Sequence, residues 1–336
     1  MTRKPILLAA CLAFGASSPL VAAPAKPQAP SAPDQAVLHV QVILDHLGFS
    51  PGVLDGKPGM SLTAALKGFQ QSRGLGASGK LDKPTQAALQ QYANMPATQT
   101  ITLTPAILGG PFTNPLPKQP AEQAKLPQLG YRNAMEKMGE MFHTTPAVLV
   151  ALNSGDTRLA PGVKITVPAV VATNRNYDPK LPEKWRQTLS TLNVDAQQPQ
   201  AAKVVVDKSD SVLRAYDASG KLIAQFQATM GSKHDPLPIG TWKILGPAYN
   251  PPFHYNPKLF WDAKKGEKKA TLPPGPNGPV GVVWLDLSKE HYGIHGTPEP
   301  TTIGRAESHG CIRLANWNAA RLAMMVKPGT PAIFQE

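Results

Sequence analysis

Cysteine is scarce in this chain, and its scarcity limits what the sulfur atoms can do. The 336 residues include two cysteines, of which Cys11 lies in an apolar N-terminal stretch. If that stretch is removed during export, Cys311 has no partner and cannot close an internal disulfide. A lone cysteine is more often a small buried hydrophobe than a reactive group. Cys311 is therefore a candidate nucleophile only if its neighbours support that role.

Long runs of like charge are also absent. The net charge is +12, from 34 basic and 22 acidic residues, but the charges are dispersed along the chain. No zinc-finger, homeodomain or RNA-binding motif is present, so nucleic acid is not expected as a partner. A basic surface is consistent instead with attraction to an anionic polymer of the cell envelope.

The longest apolar run lies at the N-terminus and is short. Two basic residues precede the apolar stretch 6–15, and small residues follow it. This pattern predicts a signal peptide over 1–25 and a periplasmic or cell-envelope location. A transmembrane helix needs about 20 apolar residues, which this stretch does not reach. The residues ending at Cys11 resemble a lipoprotein processing box, and lipidation there is the less favoured alternative.

Apolar residues recur at helical spacing over 35–92, the first module. Three helices are predicted, with Gly48 ending the first, 61–73 forming the second and 85–92 the third. The module resembles the peptidoglycan-binding domain type 1, and a packing module without a ligand is the alternative. The residues that carry the resemblance are Leu44, Leu47, Gly48, Phe49, Gly52, Asp55, Gly56, Gly59, Phe69, Gln70, Gly74, Leu75, Gly79, Leu81, Thr85 and Leu89.

A second module is predicted over 130–170, between a linker (93–129) and a connector (171–202). The linker is rich in Pro, Gln and Thr, and the connector holds one short helix. Two helices and a strand ending at Pro168 are predicted for the module, which is a small α+β unit. Its later part resembles a LysM glycan-binding domain through Phe142-His143-Thr144-Thr145, Leu149, Ala151-Leu152-Asn153 and the Gly162 to Pro168 strand.

Short strands separated by turns dominate the third module, 203–335. Strands are predicted over 203–207, 211–216, 221–229, 240–245, 280–287, 292–295 and 330–334, with one helix over 316–326. Many short strands favour a β-sandwich or barrel over a parallel sheet. The chain is therefore predicted to be a multidomain protein with a mainly β C-terminal domain.

Two His-Gly pairs lie close to Cys311 in the sequence. His295 precedes it by sixteen positions and His309 by two. A thiol needs a base, and an imidazole can take its proton to leave a thiolate–imidazolium pair. His295, delivered from a neighbouring strand, is the favoured base, since the side chain of His309 runs parallel to the thiol.

Glycines and an arginine complete the constellation. Gly296 and Gly310 let backbone approach a substrate carbonyl, and the amides of Gly310 and Cys311 are candidates for an oxyanion hole. Arg313 lies on the same face as Cys311 by period two and suits a substrate carboxylate. A metal site built from His295, His309 and Cys311 is a weaker alternative, because no ligand spacing typical of zinc is present.

These residues resemble the signature of the L,D-transpeptidase (YkuD) family. The match includes Ser308-His309-Gly310-Cys311-Ile312-Arg313, His295 at its spacing, and Pro238-Ile239-Gly240-Thr241-Trp242. The resemblance implies a β-sandwich-like catalytic domain over 203–335, Cys311 as nucleophile and His295 as general base. It also implies that Ser308, His309, Gly310 and Arg313 shape the substrate and oxyanion site. No metal or cofactor is implied.

The family resemblance also implies a reaction. Cys311 would attack a peptidoglycan stem tetrapeptide, release D-Ala and form a thioester. A carbapenem would acylate the same thiol. An amine would then accept the acyl group, giving a 3→3 cross-link, a bound outer-membrane lipoprotein or an exchanged D-amino acid. Two alternatives stay open. A carboxypeptidase or amidase would use water instead, and a non-catalytic wall-binding protein would leave Cys311 unreactive.

Overall fold

The computed structural model describes residues 31–336, so the predicted signal peptide and Cys11 lie outside the described residues. No helix in that described range is long and apolar enough to cross a membrane. The chain forms a helical N-terminal unit, a middle unit with helices and one strand pair, and a mainly β C-terminal unit.

The N-terminal unit contains the three helices that the apolar spacing predicts. They are α1 (Gln35–His46), α2 (Met60–Ser72) and α3 (Lys83–Leu89), followed by a 3₁₀ turn (Gln90–Tyr92). The carboxylate of Asp34 caps α1 by accepting hydrogen bonds from two amides of its first turn. Gly48 then reverses the chain at φ 86°, a conformation that glycine adopts without steric cost.

The middle unit is built around one antiparallel strand pair. Its elements are β1 (Thr98–Thr102), α4 (Pro105–Leu108), α5 (Pro120–Gln123), α6 (Ala134–Met141), α7 (Pro146–Leu152) and β2 (Lys164–Pro168). β1 pairs with β2, with Ile101 opposite Ile165. The linker prediction over 93–129 therefore fails at 98–102. β1 forms because it makes hydrogen bonds to β2, which lies more than 60 residues further along the chain. The sequence of 98–102 alone does not show this pairing.

The C-terminal unit follows helix α8 (Glu183–Thr191). Its elements are β3 (Lys203–Asp207), β4 (Val212–Tyr216), β5 (Leu222–Gln227), β6 (Thr229–Met230), β7 (Gly240–Tyr249), β8 (Phe253–Tyr255), β9 (Ala270–Leu272), β10 (Val283–Leu287), β11 (Gly293–His295), β12 (Ile312–Arg313), α9 (Asn316–Met325) and β13 (Pro331–Gln335). Nine of these strands form one sheet, in the order β5-β4-β3-β13-β7-β10-β11-β12-β6, and β8 pairs with β9 as a separate hairpin.

The nine-stranded sheet is barrel-like and nearly closed. Its two edge strands, β5 and β6, are consecutive in the chain and separated only by Ala228, so the sheet must curl to bring them together. The predicted single strand over 221–229 breaks at this point, because β6 pairs with β12 instead. The mainly β prediction is confirmed, but the β-sandwich-like arrangement is wrong, since one curled sheet replaces two packed sheets.

The predicted connector over 171–202 is part of the C-terminal core. Helix α8 buries Trp185 and Leu189 completely among the strands of the barrel. Burying a large side chain of this kind contributes about 1.5–3 kcal/mol to folding. The connector therefore packs as a structural element and is more than a spacer.

Helix α9 is buried on both sides, which joins the three units into one packed body. One side covers the sheet, and the other faces the N-terminal and middle units. The Trp317 indole stacks on the His143 ring of the middle unit, with centroids 5.0 Å apart. The Asn318 amide donates to the Ser50 hydroxyl of the N-terminal unit at 2.8 Å. The segment that follows Cys311 is therefore held by both accessory units.

Candidate active site

The strands β11 and β12 bring Cys311 and His295 to one face of the sheet. They pair in parallel, with Ile294 opposite Ile312 and His295 opposite Arg313. Both isoleucines are fully buried and face the barrel core. Because alternate residues of a strand point to opposite faces, His295, Arg313 and Cys311 share the other face. This is the neighbourhood that the sequence predicts for the thiol and its base.

Hydrogen bonding and stacking fix the ring of His295. The side chain is buried, with the residue 4% exposed. Its Nδ1 lies 2.7 Å from the carbonyl oxygen of Gly296, which can only accept, so Nδ1 carries the proton. The Trp284 indole, opposite it on β10, stacks on the ring at 5.4 Å between centroids. Nε2 is then the unprotonated nitrogen, able to take a proton.

The second candidate base, His309, has both ring nitrogens engaged. Its Nε2 lies 2.8 Å from a carboxylate oxygen of Asp262 and must donate to it. A guanidinium nitrogen of Arg313 lies 3.5 Å from its Nδ1. The geometry therefore favours His295 over His309 as the base.

A metal site is the alternative role that the sequence leaves open for these side chains. Within residues 31–336, no group of three or more His, Cys, Asp or Glu side chains is placed to hold a metal ion.

The thiol of Cys311 faces backbone rather than a side-chain acceptor. Its Sγ donates to the carbonyl oxygen of His291 at 3.8 Å. His291 has a left-handed φ of 67°, unusual outside glycine, which turns that carbonyl toward the sulfur. The imidazole of His291 itself is 64% exposed. His291 thus contributes its main chain to the site, while its ring points to solvent.

The turn before Cys311 depends on Gly310 and Ser308. Gly310 has φ 90°, and a Cβ there would lie 2.6 Å from a ring carbon of Tyr292. The buried Ser308 hydroxyl donates to the Cys311 carbonyl at 2.7 Å, and its amide donates to the Gly231 carbonyl at 3.0 Å. Ser308 therefore shapes the site by holding this turn, since its hydroxyl proton is already used.

Burial keeps both the thiol and the imidazole neutral at rest. Burial, with a smaller contribution from the charge of Arg313, lowers the pKa of His295 to about 4. Burial also raises the pKa of Cys311, although the Gly293 amide and Arg313 oppose the rise, and the Asp235 carboxylate adds to it. Both shifts oppose a preformed thiolate–imidazolium pair in the unliganded site, because a low-dielectric environment disfavours both charges.

This neutral resting pair has a testable pH dependence. The imidazole takes up a proton only below its lowered pKa, and the thiol loses its proton only above its raised pKa. We expect iodoacetamide to alkylate Cys311 with a rate that rises continuously from about pH 6 to beyond pH 9. Peptide mass mapping of Cys311 across that range measures it. A rate that is already at its plateau near neutral pH would show a preformed thiolate and contradict the assignment.

Several residues of the site carry no sequence signal that singles them out. Phe260, Trp261 and Asp262 belong to the insertion, which is the segment 250–275 that carries the β8–β9 hairpin. The Phe260 ring lies 4.9 Å from that of His309, and His234 stacks on Trp261 at 4.4 Å. The insertion therefore borders the site at His309. Only tertiary packing brings these segments together, so residue spacing alone could not reveal them.

Two segments of the chain match known protein families. Residues 201–334 match YkuD, described as the L,D-transpeptidase catalytic domain. The chain thus contains an L,D-transpeptidase domain of the YkuD family. Residues 33–89 match a family described as "Putative peptidoglycan binding domain". Both family predictions are confirmed, and every strand that positions Cys311 and His295 lies inside the L,D-transpeptidase domain.

Individual relatives agree with the family match over limited lengths. "Putative L,D-transpeptidase YkuD" of Bacillus licheniformis is 56% identical over 57 residues, which cover 17% of this chain and 34% of that protein. "Putative L,D-transpeptidase YqjB" of Bacillus subtilis is 25% identical over 138 residues, 40% of this chain and 70% of that protein. This chain spans about a third of the length of the two YkuD relatives that it matches, from Bacillus licheniformis and Bacillus subtilis.

Solved structures of L,D-transpeptidases resemble this chain with low TM-scores. An L,D-transpeptidase from Mycobacterium smegmatis is 25% identical, with a TM-score of 0.32, and the match covers 40% of this chain and 58% of that one. The crystal structure of an L,D-transpeptidase from Xylanimonas cellulosilytica has a TM-score of 0.35 at 15% identity, and covers 93% of this chain and 100% of that one.

Proposed function

We propose that this chain is a cysteine-dependent L,D-transpeptidase that acts on peptidoglycan through an acyl-enzyme on Cys311. The carrying observation is the single sheet face that joins Cys311, Arg313 and His295, whose Nε2 is the unprotonated nitrogen of a buried ring. The peptidoglycan-binding domain that precedes the L,D-transpeptidase domain supports a cell-wall substrate and an envelope location. Glycan binding by the LysM-like middle unit remains a prediction.

The neutral resting pair supports general-base catalysis. Nε2 of His295 takes the thiol proton while Sγ attacks the carbonyl of the third residue of a stem tetrapeptide, a diamino acid. The bond to the terminal D-Ala then breaks, and the imidazolium returns the proton to the leaving amine. A thioester remains on Cys311. Attack by an acceptor amine forms the new amide and restores the thiol, so no ATP is needed.

Backbone and guanidinium groups stabilise the charges that develop. We assign the amides of Gly310 and Cys311, which lie at the left-handed turn, to the oxyanion of the tetrahedral intermediate. Gly296 contributes the carbonyl that orients His295. Arg313 suits the carboxylate of the substrate, because a guanidinium binds a carboxylate through two parallel hydrogen bonds. His309, held by Asp262, supports Arg313 from the side of the insertion.

The carboxylate of Asp235 favours an amine acceptor over water. Its backbone packs against Gly231, whose carbonyl accepts a hydrogen bond from the Ser308 amide at 3.0 Å. Its negative charge also adds to the raised pKa of both Cys311 and Tyr292. Its Oδ2 is buried and, within the described residues, has no hydrogen-bond partner. Burying an unpaired anionic oxygen costs free energy that a cation relieves. The ammonium group of an incoming diamino acceptor is such a cation, and it must lose a proton before it attacks the thioester.

Asp235→Asn is expected to weaken acceptor use selectively. The isosteric amide keeps the shape of the loop but removes the negative charge. We expect the KM for an amine acceptor to rise about tenfold, while hydrolysis of the thioester stays within about threefold of wild type. Titrating a diamino acceptor against a fixed donor measures both. Equal acceptor KM values for the two proteins would exclude a role for Asp235 in amine binding.

Digestion of purified sacculi tests the proposed reaction as a whole. A transpeptidase yields 3→3 cross-linked dimers, whereas a carboxypeptidase working on the same bond yields trimmed tripeptides. An amidase would release bound lipoprotein without new cross-links. We expect dimers, and exchange of the terminal residue when a D-amino acid is added. Sacculi whose muropeptide profile is unchanged would favour the non-catalytic wall-binding alternative.

A further inference from the structure

A carboxyl group of the middle unit contacts a residue that lies beside the active-site backbone. Glu140 lies in α6, outside the L,D-transpeptidase domain, and is 6% exposed. Its Oε1 accepts a hydrogen bond at 2.7 Å from the side-chain amide of Asn316, the first residue of α9. Its Oε2 lies 2.9 Å from the hydroxyl of Tyr131. The contact joins two residues that are 176 positions apart in the chain.

The other side of the Asn316 carboxamide touches the segment that orients His295. Its Oδ1 accepts from the Val282 amide at 3.2 Å. That oxygen fills the space beside two glycines, since a Cβ would lie 2.0 Å from it at Gly281 and 2.2 Å from it at Gly296. Gly296 is the residue whose carbonyl accepts the Nδ1 proton of His295 at 2.7 Å. A shift of the carboxamide would therefore move the carbonyl that fixes the imidazole.

We propose that Glu140 is a positioning residue for the proposed transpeptidation. It holds the Asn316 carboxamide between Gly281 and Gly296, and so fixes the Gly296 carbonyl and the tautomer of His295. The middle unit is then a working part of the catalytic site in addition to any role in wall binding. This inference rests on the proposed role of His295 as the base.

The protonation state of Glu140 suits this role. Burial raises its pKa to about 8, against the lowering effect of its hydrogen bonds to Asn316 and Tyr131, and the nearby charge of Glu136 adds to the rise. The raised pKa favours the neutral carboxyl. Its Oε1 accepts from the Asn316 amide, and its Oε2 accepts from the Tyr131 hydroxyl. A glutamine is neutral and keeps the acceptor for Asn316, and its amide nitrogen can donate to the Tyr131 oxygen, so Glu140→Gln is a conservative substitution at this site.

A second hydrogen bond to α9 serves as a control. It distinguishes the positioning of His295 by Glu140 from the mere attachment of α9 to another unit. The hydroxyl of Ser50 in the N-terminal unit accepts a buried hydrogen bond from Asn318, two residues further along the same helix. No atom of Asn318 is among the three nearest neighbours of a Cβ built at Gly281 or Gly296, in contrast to Asn316. Ser50→Ala therefore removes a hydrogen bond that, like the one from Asn316 to Glu140, is buried and joins α9 to another unit. The Asn316 carboxamide, which touches the active-site backbone, is left undisturbed.

The experiment compares full-length Glu140→Leu, Glu140→Gln and Ser50→Ala with wild type. The kinetic readout is kcat and KM for a donor tetrapeptide. The spectroscopic readout is the tautomer of His295, followed by ¹⁵N-histidine NMR and assigned with His295→Gln. We expect Glu140→Leu to lose about tenfold in kcat at unchanged KM and to show a mixture of tautomers. Glu140→Gln and Ser50→Ala should keep kcat within about twofold and the Nδ1–H tautomer.

The proposal is overturned if Glu140→Leu behaves like Ser50→Ala in both readouts. It is also overturned if Glu140→Gln is as impaired as Glu140→Leu, since the acceptor would then not matter. Should the leucine variant fail to fold, Glu140→Met, which is closer in length, takes its place. The NMR readout does not depend on turnover. An inactive wild type would contradict the proposed function, whereas an unaltered His295 tautomer would contradict the role of Glu140.

Discussion

Replacing Cys311 with alanine is expected to abolish acyl transfer while binding to sacculi is retained. The sulfur lies on the face that carries His295 and Arg313, and no thioester can form without it. We expect turnover below about one thousandth of the wild-type rate, as is usual when a covalent nucleophile is removed. Release of D-Ala from a stem tetrapeptide measures the loss.

Sacculus binding is the control for this substitution. Cys311 lies in the L,D-transpeptidase domain, whereas residues 33–89 match the peptidoglycan-binding family. Co-sedimentation of Cys311→Ala with purified sacculi should therefore equal that of wild type. Undiminished D-Ala release by this variant would refute the assignment of the nucleophile. Lost co-sedimentation would show instead that the substitution damages more than the chemistry.

Replacing His295 with glutamine is expected to reduce kcat by about a thousandfold, within the range that a general base contributes. Glutamine can still donate to the Gly296 carbonyl, but it has no nitrogen that takes up a proton. The buried thiol would then have to ionise unaided against its raised pKa. Single-turnover acylation by a stem tetrapeptide measures the chemical step directly.

His291→Asn is the matched control for His295→Gln. Both remove an imidazole close to Cys311, but the ring of His291 is exposed and only its carbonyl faces the sulfur. Asparagine tolerates the left-handed backbone that His291 adopts. We expect His291→Asn to stay within about threefold of wild type. A loss as large as that of His295→Gln would move the base assignment away from His295.

Local pattern was sufficient to single out Cys311 and His295 as the proposed nucleophile and base. Cys311, His309 and Arg313 lie within five positions, so period two alone predicts that they share a face. His295 needed one further assumption, that its strand lies beside that of Cys311, and the pairing of β11 with β12 confirms it. Helices α1 and α2 were equally readable, because their apolar residues repeat at helical spacing within a few turns.

Features that depend on distant packing were not predictable in this way. Thr98, Thr100 and Thr102 alternate with Gln99 and Ile101 and could have indicated β1, but the strand forms by pairing with the distant β2. The barrel-like closure depends on the order of the strands in the sheet. The alternation of polar and apolar residues along a strand does not reveal that order. The shifts that favour neutral Cys311 and His295 come from burial in the folded chain, which a sequence motif does not reveal. Glu140 and Asn316 meet only through the packing of α6 on α9.

The most direct test is the mass of the protein after mixing with a stem tetrapeptide and no acceptor. The reaction is quenched in acid, which preserves a thioester, and the adduct is located by peptide mapping. A covalent tripeptidyl group on Cys311, formed as fast as D-Ala is released and removed when an amine acceptor is added, is the predicted result. Release of D-Ala with the protein mass unchanged, or an adduct on any other residue, would contradict thioester catalysis at this cysteine.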